Sequence, residues 1–163
     1  MYVYLDDAKN ELEKMNLGKR ISEGSFSAIY NHSKNKYLLI TIEKNKINYL
    51  KKIYSEIETI NFSNNIYGII VPKLEKINIG KTEANELYKL NKFLNKNHVS
   101  IDETIYKAEI FLNENNLKMK DSILSSLHII KEEKIKVFKF DFKASQFLSI
   151  NKKTICIDPI IFE

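Results

Sequence analysis

The sequence contains few cysteines, prolines and glycines, and it has no long apolar run. Its one cysteine, Cys156, excludes a disulfide or a cysteine-based metal site within the chain, so a reducing compartment, the cytoplasm, is expected. Because Cys156 lies in an apolar stretch, a buried thiol is predicted rather than a nucleophile. Two prolines and four glycines argue against long linkers and disordered segments. No apolar run approaches the ~20 residues of a membrane-spanning helix, so no membrane contact is predicted.

Basic residues exceed acidic ones by a small margin and are spread along the chain. The 26 Lys and Arg residues and the 21 Asp and Glu residues give a formal net charge of +5, and lysines are interspersed with glutamates along nearly the whole sequence. This interspersion is typical of a solvated surface, and binding to nucleic acid is not predicted. A hydrophobic fraction of 44% suits one globular domain or two small lobes that share a core.

The C-terminal part of the chain carries two acidic residues, a lysine and an amide in a stretch that is predicted to form a β-hairpin: Asp141, Lys143, Gln146 and Asp158. In phosphoryl transfer, one carboxylate orients the attacking hydroxyl and accepts its proton. A second carboxylate and a side-chain oxygen hold Mg²⁺, which prefers hard oxygen ligands. This set of side chains therefore favours a phosphoryl-transfer site.

A segment near the N-terminus resembles the glycine-rich loop of protein kinases, G-x-G-x-x-G-x-V. Ser22, Gly24 and Ser27 take the three glycine positions, and Ile29 takes the valine position. Small residues are needed there because the hairpin backbone must approach the phosphates and donate N–H groups to them. These residues, together with Ser25 in the same turn, are the predicted phosphate-binding segment.

The two segments, in this order, resemble the protein kinase-like fold. The kinase pattern places an amide five residues after the loop Asp and a metal-binding Asp on the next strand. Gln146 is five residues after Asp141, and Asp158 is twelve after Gln146. The sequence departs from the pattern in the two residues before Asp141, in having Gln where kinases have Asn, and in Pro159 after the second Asp.

The resemblance implies ATP and Mg²⁺ as cofactors and gives each side chain of the hairpin a role. Asp141 orients the acceptor hydroxyl, and Lys143 neutralises the γ-phosphate. Gln146 and Asp158 bind the metal ion.

In kinases a lysine on the third strand holds the phosphates and pairs with a glutamate on the next helix. Glu56 lies at the edge of the inward face of the predicted helix and is the candidate glutamate. The lysine position has two alternative registers, which stay open. The strand pattern places Thr41 there, which would remove the ion pair, whereas the distance from the glycine-rich loop favours Lys44.

Apolar periodicity predicts strands over residues 37–43 and 66–74, and helices over residues 45–60, 82–95, 100–115 and 121–133. Ser100, followed three residues later by Glu103, forms a capping box at the start of the third helix. A β-rich part followed by an α-rich part and a closing hairpin predicts an α+β fold. The resemblance implies a single kinase-like domain over residues 1–163, with a small N-lobe at about 1–74 and a truncated, mostly helical C-lobe at about 75–163.

Five residues follow Asp158, so the activation segment and the later helices of a full kinase are not expected. The chain is therefore similar to compact kinases of bacteria and their viruses, including minimal kinase effectors secreted into host cells. This implies the cytoplasm of the producing cell or of a host. The truncated lobe is expected to expose apolar surface at Ile160, Ile161 and Phe162 unless a protein partner or a second copy covers it.

Three functions follow as alternatives. The first, which is preferred, is an enzyme that transfers a phosphoryl group from ATP to a Ser or Thr hydroxyl of a protein substrate. The second is a pseudokinase that acts as a binding module for a regulatory protein partner, which the Thr41 register favours. The third is a small-molecule phosphotransferase, which Pro159 after Asp158 suggests.

Overall fold

The computed structural model describes residues 2–54, 57–62, 65–96 and 99–162. The chain divides into two compact units, Met1–Lys73 and Leu74–Glu163. Both units combine helices with antiparallel β-sheet, which confirms the prediction of an α+β protein. None of the helices formed by the described residues has the length and hydropathy that crossing a lipid bilayer requires.

The first unit is built around a five-stranded antiparallel sheet. Its strands, in chain order, are β1 (Arg20–Glu23), β2 (Ser27–Ser33), β3 (Lys36–Thr41), β4 (Glu58–Asn61) and β5 (Tyr67–Pro72). The order across the sheet is β1-β2-β3-β5-β4, so β3 lies at its centre. A 3₁₀ turn at Leu5–Ala8 leads into α1 (Lys9–Lys14), and α2 (Lys44–Ile53) lies between β3 and β4 in the chain.

The central strand β3 carries the core of the first unit. Consecutive residues from Leu38 to Thr41 are all buried, and because neighbours on a strand point to opposite faces, both faces of β3 are covered. Helix α2 contacts β3 and β5. One cluster of buried residues in this core consists of Leu5, Ala8, Ala28, Tyr30, Leu38, Ile40, Ile66 and Ile70.

The helix predicted over residues 45–60 is shorter than expected and is followed by a strand. Helix α2 ends at Ile53, and β4 pairs with β5 from Glu58 opposite Ile70 to Asn61 opposite Tyr67. The apolar spacing that suggested a longer helix also fits a strand, and the β-branched Thr59 and Ile60 favour the strand once β5 supplies hydrogen-bond partners. The prediction of helix was therefore wrong for residues 58–60, which lie in β4.

The second unit contains three helices and two small antiparallel sheets. The helices are α3 (Lys81–Leu94), α4 (Ile101–Asn115) and α5 (Lys120–Glu132). The strands are β6 (Glu75–Lys76), β7 (Val137–Phe140), β8 (Phe147–Ile150), β9 (Lys153–Cys156) and β10 (Ile160–Phe162). One sheet has the order β6-β8-β9, and the other pairs β10 with β7.

The three helices begin and end within one residue of the predicted positions. The hydroxyl of Ser100 accepts a hydrogen bond from the N–H of Glu103 at 3.2 Å, which is the N-cap that the sequence indicated. Asn116 ends α4 in a left-handed conformation, with φ 48°, that asparagine tolerates well. The inward faces bury an apolar stripe: Leu87, Leu90 and Leu94 of α3, Ile105, Ala108 and Leu112 of α4, and Ile123, Leu127 and Ile130 of α5.

The apolar C-terminal strand is partly buried within the chain. Ile160 pairs with Phe140 of β7 and is 4% exposed, whereas Ile161 is 37% exposed. The expectation that Ile160 lies on an exposed surface was therefore wrong, because β10 folds back on β7 and covers it. The side chain of Phe162 lies outside the described residues.

Candidate functional site

Asp141 follows the last residue of β7 and stands between two buried phenylalanines. Phe140 and Phe142 are 8% and 1% exposed, so their rings are directed into the second unit. Because side chains alternate along extended backbone, the carboxylate of Asp141 points the other way, and its side chain is 20% exposed. The N–H of Asp141 donates to the carbonyl of Pro159 at 2.8 Å, which ties this position to the segment that follows β9.

The side chains of Asn91 on α3 and of Asn95, the residue after this helix, hold the backbone on both sides of Asp141. Asn95 accepts from the N–H of Phe140 at 2.9 Å and donates to its carbonyl at 2.7 Å. Asn91 makes the same pair of hydrogen bonds with Phe142, both at 2.8 Å. Each side-chain amide thus takes the place of a backbone peptide group beside β7. We refer to this pair of side chains as the amide clamp. It fixes the backbone before and after the carboxylate.

Lys143 and Gln146 complete the loop after Asp141. Nζ of Lys143 lies 2.6 Å from Oδ2 of Asp141, and its side chain is 61% exposed. Oε1 of Gln146 accepts from the N–H of Lys143 at 2.9 Å, and the N–H of Gln146 donates to the carbonyl of Lys143 at 3.0 Å. The side chain of Gln146 therefore closes the 3₁₀ turn at Ala144–Gln146 and keeps one lone pair on its oxygen.

Asp158 lies between β9 and β10, in a segment that is bonded to the Asp141 loop at two points. The N–H of Ile157 donates to the carbonyl of Gln146 at 3.0 Å, and Pro159 accepts from Asp141. The second unit thus brings together the two acidic residues, the lysine and the amide that the sequence singled out.

The side-chain oxygens of Asp158 and Gln146 are of the chemical type that a magnesium ion with phosphate ligands prefers. Among the described residues, no group of three or more His, Cys, Asp and Glu side chains is placed to hold a metal ion. Mg²⁺ is commonly bound by one or two carboxylates together with substrate phosphates, and Asp158 with the remaining lone pair of Gln146 matches that smaller requirement. Bound there, the ion would neutralise phosphate charge.

Cys156, the only cysteine of the sequence, lies two residues before Asp158, and its predicted burial is confirmed. The pKa of Cys156 is raised from 9.0 to about 12 by all influences together, and burial is the largest of them. The Asp158 carboxylate also raises this pKa, whereas hydrogen bonds from the Asp158 backbone and the Ser126 side chain lower it. The thiol is therefore neutral at physiological pH and does not serve as a nucleophile.

We expect Cys156 of the folded protein to react about 1,000-fold more slowly with an aromatic disulfide reagent than the same thiol in denaturant, because its thiolate fraction at neutral pH is smaller by that factor. Release of the coloured thiol measures the rate. The denatured chain is the matched control, and equal rates in the two states would contradict the buried placement.

The predicted phosphate-binding segment forms the turn between β1 and β2 in the first unit. Ser22 lies on β1, Gly24 and Ser25 lie in the turn, and Ser27 and Ile29 lie on β2. The N–H of Gly24 donates to the carbonyl of Ser27 at 2.7 Å, and the carbonyl of Ser25 accepts from the N–H of Leu5 at 2.8 Å. One backbone hydrogen bond therefore closes the turn, and a second joins it to Leu5. Its role in binding phosphate remains a prediction.

Thr41 is the last residue of β3, and the two alternative registers for the lysine position of kinases remain predictions. Thr41 is fully buried; its hydroxyl donates to the carbonyl of Phe26 at 3.0 Å and accepts from Ser27 at 2.9 Å. The same oxygen accepts from the N–H of Glu43 at 3.1 Å, which turns the chain out of the strand. Lys44 is then the exposed first residue of α2. Its contact with phosphate remains a prediction.

Three polar residues were not singled out from the sequence. Lys46 of α2 is 8% exposed, and the amide clamp of Asn91 and Asn95 was not foreseen. A signal was present for the clamp, since the two asparagines are four residues apart, beside the buried Leu90 and Leu94 on a helix. Glu56, the candidate partner of the strand lysine, lies outside the described residues.

No protein-family model matches the sequence, and no curated protein matches it significantly. The functional interpretation therefore depends on the geometry of the second unit and on the chemistry of its side chains.

Proposed function

We propose that the protein is a minimal kinase-like phosphotransferase, which moves the γ-phosphoryl group of Mg-ATP to a Ser or Thr hydroxyl of a protein substrate. The observation that carries this proposal is Asp141, an accessible carboxylate between two clamped residues, with the ammonium of Lys143 at 2.6 Å. A fixed carboxylate with an adjacent cation suits proton acceptance beside a phosphate, because phosphoryl transfer depends mainly on positioning and on charge neutralisation.

The roles of the side chains follow from their chemistry. Asp141 accepts a hydrogen bond from the acceptor hydroxyl and takes its proton as the oxygen attacks phosphorus. Lys143, which is exposed and has a flexible stem, exchanges its contact with Asp141 for a γ-phosphate oxygen and neutralises its charge. Asp158 and the free lone pair of Gln146 are the oxygen donors for the magnesium ion that accompanies the nucleotide.

The arrangement of elements supports the resemblance on which the proposal rests. In kinases the glycine-rich turn precedes the third strand, and a helix follows that strand. Here the β1–β2 turn precedes β3, and α2 follows it. The loop of Asp141 leads from β7 to β8, and Asp158 precedes β10, which pairs with β7. The proposal assigns phosphate binding to the β1–β2 turn and the carboxylates to the loops of the second unit.

One observation favours the pseudokinase as a second candidate. The residue at the end of β3 is Thr41, whose hydroxyl has three hydrogen-bond partners within the first unit. It offers no cation to the nucleotide phosphates, and kinases that lose this lysine lose much of their activity because the phosphates are no longer held in place. A protein of this kind would bind its partner without transferring phosphate.

Nucleotide binding and phosphate transfer together test the proposal. With Mg-ATP at ~100 times its dissociation constant, the melting temperature is expected to rise by roughly 5 °C. The Asp158→Asn variant should lose the magnesium-dependent part of this rise, whereas the exposed control Asp6→Asn should retain it. Radiolabelled γ-phosphate should reach the protein itself or a protein in a cell lysate. Nucleotide binding without any transfer would favour the pseudokinase, and no binding at millimolar ATP would overturn the proposed enzyme.

A further inference from the structure

A groove of about 800 Å³ lies beside Asp141 in the second unit, and we call it the lysine groove. One wall consists of Lys89 and Lys92 of α3 and of Lys96, just after the helix, and the end of β7 contributes Lys139. The carboxylate-bearing residue Asp141 lines the same groove. A molecule that presents a hydroxyl to Asp141 from this side therefore passes along a row of lysines.

The charge of the groove is mostly uncompensated. Lys89 pairs with Glu86 at 2.8 Å, and Asp141 pairs with Lys143. Lys92, Lys96 and Lys139 are exposed and form no ion pair with any of the described residues. Three free ammonium groups in one concave surface raise the local concentration of anions by their summed field.

The spacing of the lysines matches an extended peptide. Lys89 and Lys92 are three residues apart on the same face of α3, about 4.5 Å along the helix at ~1.5 Å per residue, and Lys96 follows two residues after the helix ends at Leu94. The row of three lysines is therefore longer than one residue of extended chain, which advances ~3.3 Å per residue. Acidic side chains close to an acceptor hydroxyl can therefore meet the lysines while the hydroxyl stands at Asp141.

We propose that the lysine groove binds an acidic peptide segment that flanks the acceptor hydroxyl, so that the substrates of this protein carry Asp or Glu beside the Ser or Thr. The proposal rests on the proposed function only in assigning the hydroxyl to Asp141. Binding of the acidic segment itself depends on the groove alone.

The extent of the charged surface favours a peptide over a nucleic acid. Proteins that bind DNA tightly neutralise roughly 6–10 phosphates, and the groove supplies three free lysines and a fourth that is paired. The two exposed aromatic rings at the groove, Tyr88 and Phe93, offer apolar contact to peptide side chains between the charges. Phe93 also packs on Phe111 of α4, with 5.7 Å between ring centroids, so Phe111 already covers part of its surface.

Fluorescence anisotropy without nucleotide tests this inference independently of catalysis. The probe is a short labelled peptide with one central serine flanked by glutamates, and its counterpart carries glutamine at every glutamate position. The acidic peptide should bind the wild type at least ~10-fold more tightly than the glutamine peptide, because several weak surface charge pairs add. The triple variant Lys92→Gln, Lys96→Gln, Lys139→Gln should lose this preference.

A matched triple variant separates the groove from the overall charge of the protein. Lys34→Gln, Lys51→Gln and Lys153→Gln remove the same charge at exposed positions outside the groove and should leave the preference unchanged. Equal binding of the two peptides to the wild type, equal losses in both triple variants, or tighter binding of a single-stranded RNA oligonucleotide would each overturn the proposal. Binding of the acidic peptide in a protein that transfers no phosphate would support the groove and count against the proposed enzyme alone.

Discussion

The Gly18→Ala variant is expected to lose at least ~3 kcal/mol of its free energy of unfolding, because the new methyl group collides with backbone. A Cβ at this position would lie 2.1 Å from the carbonyl oxygen and 3.1 Å from the carbonyl carbon of Asn31. The neighbouring N–H of Asn31 donates to the carbonyl of Lys19 at 2.8 Å, so β2 cannot move away without breaking this bond. Urea denaturation followed by circular dichroism measures the loss.

Gly24→Ala is the matched control for this substitution. A Cβ on Gly24 meets only the carbonyl oxygen of Ser27, at 3.8 Å, and the described glycines have no positive φ angle. The free energy of unfolding should change by no more than about 0.5 kcal/mol. If Gly18→Ala were as stable as Gly24→Ala, the close approach of the chain at Asn31 would be refuted. Of these two glycines, the fold requires Gly18, whereas the kinase resemblance includes only Gly24.

The Asp141→Asn variant is expected to lose ~10²–10⁴-fold in the rate of phosphoryl transfer and to keep its affinity for nucleotide. The amide has the same shape but cannot accept the proton of the hydroxyl. Folding should be preserved, because the N–H of Asp141 makes the hydrogen bond to Pro159 and the amide clamp holds its neighbours. The lost contact with the largely exposed Lys143 is a surface ion pair, which contributes little to stability. Initial rates with radiolabelled ATP give the comparison.

Asp102→Asn provides the control in the same unit. Asp102 is exposed on α4 and pairs with Lys131, so its loss removes one carboxylate and one surface ion pair without touching the Asp141 loop. Its transfer rate should equal that of the wild type. An Asp141→Asn variant that transferred phosphate at the wild-type rate would remove Asp141 from the chemistry.

The helices of the second unit could be predicted because their signals are local. A serine cap at Ser100 and an apolar stripe at intervals of three and four residues fix the start and the inward face of α4. The segment at residues 58–61 could not be predicted in the same way. Its pattern suits a helix or a strand, and the choice depends on β5, which follows in the chain and supplies the pairing.

The two acidic residues and the amide of the candidate site could also be found from the sequence, because Asp141, Gln146 and Asp158 are near one another in the chain. The amide clamp could not, since it joins Asn91 and Asn95 to backbone groups 45 to 51 residues away. The lysine groove depends on the same packing of α3 beside β7, and from the sequence its lysines looked like an ordinary solvated surface.

The amide clamp has a consequence for association between chains. An unpaired strand edge is a template to which another polypeptide can add a strand, and such edges promote aggregation. The N–H and carbonyl of Phe140, the last residue of β7, are occupied by Asn95, and those of Phe142, two residues after the strand, by Asn91. The two asparagine side chains thereby close this edge to strand addition at the residues next to Asp141. A partner that approaches the carboxylate therefore cannot pair its own backbone with these four groups unless the clamp opens.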